Sequence, residues 1–197
     1  MTDSSTQFSP MQLLKRRIYA MRNGIVADTL RRNGCPHQFI FGLNLPQLAE
    51  IAADQPHTLQ LAERLWADSN SRESMLLAPM LYPVDQLTPQ RAAAMAREVR
   101  WSEDADILCH RLLRHAPFAA DLAADLVSDT NRLTRYTGLR LLLNLLNQPS
   151  IINHPSPTDA PLFAAATKSL AQEQQRPDPL TSLLSLLQDQ LTFLSEK

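Results

Sequence analysis

Apolar residues recur along the chain at helical spacing. Leu13, Leu14, Ile18, Met21, Ile25 and Leu30 follow that rhythm from Pro10 onward. Gly24 weakens this first stretch in its middle, and Gly34 with Pro36 ends it. After a loop at 39–45, the pattern predicts helices over 46–54, 58–67, 71–81, 89–99, 103–114, 117–127 and 132–147. Two more are predicted near 160–172 and 179–194. Pro46, Pro89, Pro117 and Pro179 each suit a first helical turn, where the missing N–H removes no bond. Residues 1–9 read as a flexible leader, and residues 10–197 as one helical domain. Residues 148–158 and 174–178 read as loops, so 159–197 forms a pair of C-terminal helices.

The pattern also echoes itself. Leu65–Asn70, Val99–Asp104 and Leu126–Asn131 each join a bulky apolar helix end to a polar turn that can cap the next helix. Their spacing is about thirty residues, the size of a helical repeat unit. Units of that size bury their apolar faces only by stacking on neighbours. The predicted fold is therefore all-α, a HEAT-like helical-repeat solenoid with a concave groove.

Composition agrees with this. Of 197 residues, only 4 are Gly and 14 are Pro, which disfavours a turn-rich β fold. Lys plus Arg is 19 and Asp plus Glu is 20, a net charge of -1, so a highly basic nucleic-acid tail is excluded. Cys35 and Cys109 belong to no Cys/His cluster, so neither a zinc site nor a disulfide framework is expected. The first ten residues lack the apolar core of a signal peptide. The longest apolar run, Leu139–Leu146, is broken by Arg140 and Asn144 and is far short of a bilayer span. A cytoplasmic protein is expected, without membrane attachment.

Charge is distributed unevenly. Lys15, Arg16, Arg17, Arg22, Arg31 and Arg32 face a single acid, Asp28. This is either a solvated helix face or a flank that meets phosphates, with Arg17 and Arg22 as candidate DNA contacts. The predicted helix after Trp101 has acids at its start and Arg and His at its end, as the helix dipole favours. Within it, Asp106 and His110 share a face, either as an ordinary surface pair or as an oriented acid and base. In the 132–147 helix, Arg132, Arg135 and Arg140 lie among leucines, and Gly138 would let a ligand approach. Arg135 could instead pair with an acid such as Asp106. Trp66 reads as core, while Trp101 and Tyr136 could face either way. There is no Gly-rich phosphate loop, HExxH or nucleophile motif.

Three segments resemble the DNA alkylation repair family, the AlkD-type HEAT-repeat DNA glycosylases. Phe41-Gly42-Leu43-Asn44-Leu45-Pro46-Gln47-Leu48-Ala49-Glu50-Ile51-Ala52 looks like the family's opening segment. Leu61–Trp66 resembles its LAxxLW helix, and Ser71–Leu81 its Met/Leu/Ala-rich third segment. The resemblance implies a solenoid that grips alkylated duplex DNA, and a monomer is expected. It further implies hydrolysis of the N-glycosidic bond of N3- and N7-alkylated purines, without metal or organic cofactor. By the same resemblance Asp106 is the counterpart of the catalytic Asp, Arg135 of the groove Arg, and Trp101 of an aromatic wall. Arg132 and Arg140 would add DNA contacts. The family's W-x-x-x-D spacing has Ser102 here, with Trp101 one residue earlier, and no Trp follows residue 147. The alternative is a noncatalytic relative whose groove holds DNA or a protein partner.

Overall fold

The computed structural model describes residues 8–154 and 156–196. The described residues are helical, and their one β contact is an isolated bridge between Phe39 and Ser71. The chain divides into two compact units, residues 1–86 and 87–197, so the domain expected over 10–197 is built in two parts.

In the first unit, α1 (Pro10–Ala20) opens on a capping box in which Ser9 and Gln12 satisfy each other's backbone N–H groups. Ser9 is thus a cap rather than part of a loose leader, and residues 1–7 lie outside the described residues. The long first stretch breaks before Gly24. Asn23 caps α2 (Gly24–Arg32) with its side chain and donates its backbone N–H to Phe41 O. Next come α3 (Leu45–Ala53), α4 (Leu59–Ala67) and α5 (Arg72–Leu81), capped by Asn44, Thr58 and Ser71. α5 packs on α3 and α4, and nearly every residue of it is buried. Trp66 lies in this core, as its spacing predicts.

A buried charged pair holds the 41–43 loop against α5. The Glu73 carboxylate accepts from the backbone N–H groups of Phe41 (3.1 Å), Gly42 (2.9 Å) and Leu43 (3.4 Å). Arg72 Nη1 donates to Glu73 (2.9 Å) and to Leu43 O (3.0 Å). Gly42 has φ +80°, and a Cβ there would lie 2.2 Å from Asn23 O. Only glycine fits that turn.

The second unit is organised around α9 (Arg132–Leu146). Before it come α6 (Pro89–Glu98), α7 (Ser102–Arg111) and α8 (Ala119–Val127). After it come α10 (Pro149–Asn153), α11 (Ala160–Gln174) and α12 (Thr181–Ser195). α9 packs on α6, α7, α8, α11 and α12. At Gly138 a Cβ would stand 2.7 Å from Val127 N, so this glycine serves the close approach of α8 rather than of a ligand. The three sequence echoes fall on the α4–α5, α6–α7 and α8–α9 turns.

Some boundaries differ from expectation. Pro117 and Pro179 precede their helices, because α8 starts at Ala119 and α12 at Thr181. α7 ends at Arg111 and continues as a 3₁₀ turn at Leu113–His115. The expected loop 148–158 contains α10, which Pro149 initiates and Ile151 anchors in the core. No helix among the described residues is long and apolar enough to cross a membrane.

Candidate nucleic-acid interface

The starts of three helices in the second unit line one open cleft of about 650 Å³. Trp101 is the N-cap residue of α7 and Ser102 its first residue, Arg132, Leu133 and Tyr136 come from α9, and Thr181, Ser182 and Leu183 from α12. Helix N-termini carry partial positive charge and favour anions. Asn131 caps α9 through Leu133 N and Thr134 N, whereas α12 has no side-chain cap. The turn holding Trp101 is pinned by Asp104, whose Oδ2 accepts from Trp101 N (3.1 Å) and Arg100 N (3.3 Å). Asp104 is buried, so the indole starts from a fixed backbone.

Asp106 lies one turn further along α7. Its Oδ1 accepts from the Tyr136 hydroxyl at 2.9 Å, and Tyr136 is itself a wall of the cleft. Arg140 Nε lies 3.0 Å from the same oxygen as an ion pair, but its N–H has no aligned hydrogen-bond acceptor. Burial raises the Asp106 pKa most, and Glu103 adds to this, while Arg140 and the Tyr136 hydrogen bond oppose it. The Tyr136 phenol is pushed up by burial and by Asp106. His110 does not take part in this acid's contacts. Its pKa is lowered by burial first, and then by Arg114, Arg111, Arg140 and His115. The neutral imidazole is thus favoured at His110, beside the arginines at the far end of α7.

The candidates predicted from sequence separate into those near the cleft and those away from it. Trp101 and Arg132 line it, with Arg132 exposed and only 3.5 Å from Asp178 Oδ2. Asp106 and Arg140 sit behind Tyr136. Arg135 is elsewhere, and its expected meeting with Asp106 does not occur. Its side chain is 3% exposed, with Nε 3.0 Å from Glu173, Nη2 2.9 Å from Asp178 and Nη1 3.0 Å from Thr130 O. The reason is helical geometry. Neighbouring positions on a helix differ by about 100°, so Tyr136 and Arg140 reach Asp106 on α7 while Arg135 reaches Glu173 on α11.

Arg17 and Arg22 belong to the first unit. Arg17 binds Glu50 at 2.9 Å and also Asp54, so two acids of the α3 end occupy it. Arg22 lies 4.0 Å over the Tyr19 ring and donates to Tyr19 O. With Arg31 it lines a separate shallow hollow of about 430 Å³. Sequence reasoning left Tyr136 undecided. Its signal was the stripe Arg132, Tyr136, Arg140, spaced four residues apart on one helix face.

An all-helical HEAT-like chain with an arginine- and aromatic-lined cleft defines the class. The family model described as DNA alkylation repair enzyme matches residues 14–176. The chain belongs to that family. A solved structure with a TM-score of 0.75 is 16% identical, with 91% of this chain and 74% of that one covered. It is described as one of a new family of proteins related to the HEAT-like repeat DNA glycosylases with affinity for branched DNA structures. Comparison with curated proteins gives no match.

Proposed function

We propose that the protein binds DNA through the cleft of its second unit and removes N3- or N7-alkylated purines from it as a DNA glycosylase. The observation behind this reading is the juxtaposition of Trp101 and Tyr136 in one cleft with the Asp106 carboxylate directly behind Tyr136. An alkylated purine is a cationic flat ring, which aromatic faces and a nearby carboxylate attract. The lesion's own charge weakens its N-glycosidic bond. As that bond breaks, the electron pair leaves with the base and positive charge spreads over the sugar. Water adds at the sugar carbon and loses a proton, which completes the hydrolysis. Asp106 would stabilise the sugar cation by its field, and Arg132 would hold a neighbouring phosphate. Arg135 has only a structural part in this scheme. The chemistry assigned to the site calls on no cofactor.

The test is base release from methylated duplex DNA. The wild type should release N3- and N7-methylpurine, and Asp106→Asn should lose most of that rate while still binding DNA. Tyr136→Phe keeps an aromatic wall, so it should affect the rate less than Tyr136→Ala. Equal release by wild type and Asp106→Asn would refute the catalytic role.

A second reading rests on the Arg140–Asp106 ion pair, which already neutralises the acid. In that reading the protein binds DNA, branched forms included, without cutting a base free. Wild-type binding with no base release from any methylated substrate would select it. Salt-insensitive partner binding would indicate a protein partner instead.

A further inference from the structure

A second, smaller cavity lies in the first unit, far along the chain from the residues assigned above. It measures about 230 Å³, below the usual size for a whole drug-like ligand and suited to one flat ring. Phe39 and Phe41 form walls and buried Ile18 contributes an apolar surface. Phe39 is 51% exposed although its backbone is fixed on both sides, with Phe39 N bonded to Asn70 O and Phe39 O to Arg72 N. Phe41 is braced edge-on by Tyr19 at 6.4 Å between centroids. An exposed ring on a rigid backbone is a stacking platform that loses little entropy when covered.

The polar side of the cavity is equally specific. Asp68 Oδ2 accepts from the Ser74 hydroxyl (2.8 Å) and sits 3.0 Å from Lys15 Nζ. Ser74 is buried, which fixes the carboxylate, and Lys15 is half exposed. Both donors go to Oδ2, so Oδ1 keeps its accepting capacity. The cavity therefore presents an aromatic face, a carboxylate acceptor and, beside it, an ammonium donor. A ring that matches must be flat, with N–H donors next to a carbonyl acceptor along one edge. The Watson–Crick edge of guanine has that order. Its N1–H and N2–H meet the carboxylate and its O6 meets the ammonium. Adenine places a donor beside a ring nitrogen and has no carbonyl. In a regular duplex this edge is paired and hidden.

We propose that this cavity binds an unpaired guanine base, stacked on Phe39 and read by Asp68 and Lys15. The proposal deepens the DNA-binding reading when the guanine belongs to a strand, but the chemistry holds equally for a free guanine nucleotide.

Two experiments test it. In the first, guanosine monophosphate is titrated into the full chain while the Ile18 methyl and the Phe39 and Phe41 ring signals are followed by NMR. Saturable shifts are expected, at least about tenfold weaker with adenosine monophosphate, which converts to about 1.4 kcal/mol. Asp68→Asn should erase the preference for guanine and Phe39→Ala should weaken both nucleotides. No saturable shift, or equal shifts for both nucleotides, overturns the proposal. In the second, duplexes with one bulged guanine or one bulged adenine are compared with a flush duplex. Preference for the guanine bulge, lost in Asp68→Asn with flush-duplex affinity unchanged, places the guanine in a strand. Nucleotide binding without bulge preference assigns the cavity to the free nucleotide. Failure to bind any DNA would sink the cleft reading, and the nucleotide titration would still decide this cavity.

Discussion

Asp106 shows how burial sets the proton balance of a single residue. Its folded-state pKa lies above the ordinary carboxylate value, chiefly because it is buried. The fold therefore holds this proton more tightly than the unfolded chain does. Stability from that preference is present below the unfolded pKa, about 3.9, and is lost as pH rises through the folded value. At neutral pH the ionised Asp106 is thus less favourable to the fold than its protonated form. Asp106→Asn should melt at a higher temperature than wild type at pH 7, and that gain should vanish below about pH 4. Thermal melts across the pH range check this. The opposite sign applies at Gly42, where side-chain chemistry plays no part. Gly42→Ala forces a Cβ onto Asn23 O at positive φ and should cost about 3 kcal/mol or more, read by denaturant unfolding. From sequence, the family resemblance points to Asp106, although the W-x-x-x-D spacing carries Ser102 in place of Trp. Tyr136 could not be settled there. Whether its ring faces solvent or α7 depends on how α9 is rotated against its neighbours, which periodicity gives only to within a residue or so.

Most elements were readable because their signals are local. Caps such as Thr58, Ser71 and Asn131 and helix-starting prolines such as Pro89 act within a turn, and each is in place. The misses needed partners distant in sequence. The break at 21–23 is fixed by the Phe41 carbonyl, and the charges of Arg72 and Glu73 lie inside a helix that reads as an apolar face. Arg135 belongs to the same class. Its acid is 38 residues away on α11, so an arginine that suggested a phosphate contact instead joins α9 to α11. Removing one member of such a buried pair leaves the other charge uncompensated. Arg135→Leu should therefore lose about 3–5 kcal/mol of stability. The double replacement with Glu173→Leu should recover much of this, though Asp178 and Leu180 N would still lose a partner. Denaturant midpoints for the three proteins separate these cases. A phosphate-binding Arg135 would predict lost DNA affinity with little loss of stability.

For the whole chain, a net charge of -1 argues weakly against a polyanionic ligand. The average conceals how the charges are used. Glu73 and Glu173 are buried against arginines, and Asp104 is buried under the backbone of a turn. None of the three presents charge to solvent. Arg132 is exposed at the cleft, and Arg111 and His110 are exposed at the end of α7, where His110 feels Arg114 and Arg140 as well. Arg72 and Arg135 are buried with the first two acids, so what matters for a polyanion is where the exposed cations lie. The consequence can be measured as the slope of log affinity against log salt, which is about −0.9 per phosphate neutralised on duplex DNA. Three to five such contacts would give a slope of about −3 to −4.5. Arg132→Ala should reduce its magnitude by about one. Arg135→Lys, provided it folds, should leave it unchanged, because that side chain never reaches the surface. A slope near zero in wild type would mean that the cleft is not read by phosphates at all. The aromatic and carboxylate groups around Asp106 would then have to recognise something other than a DNA strand.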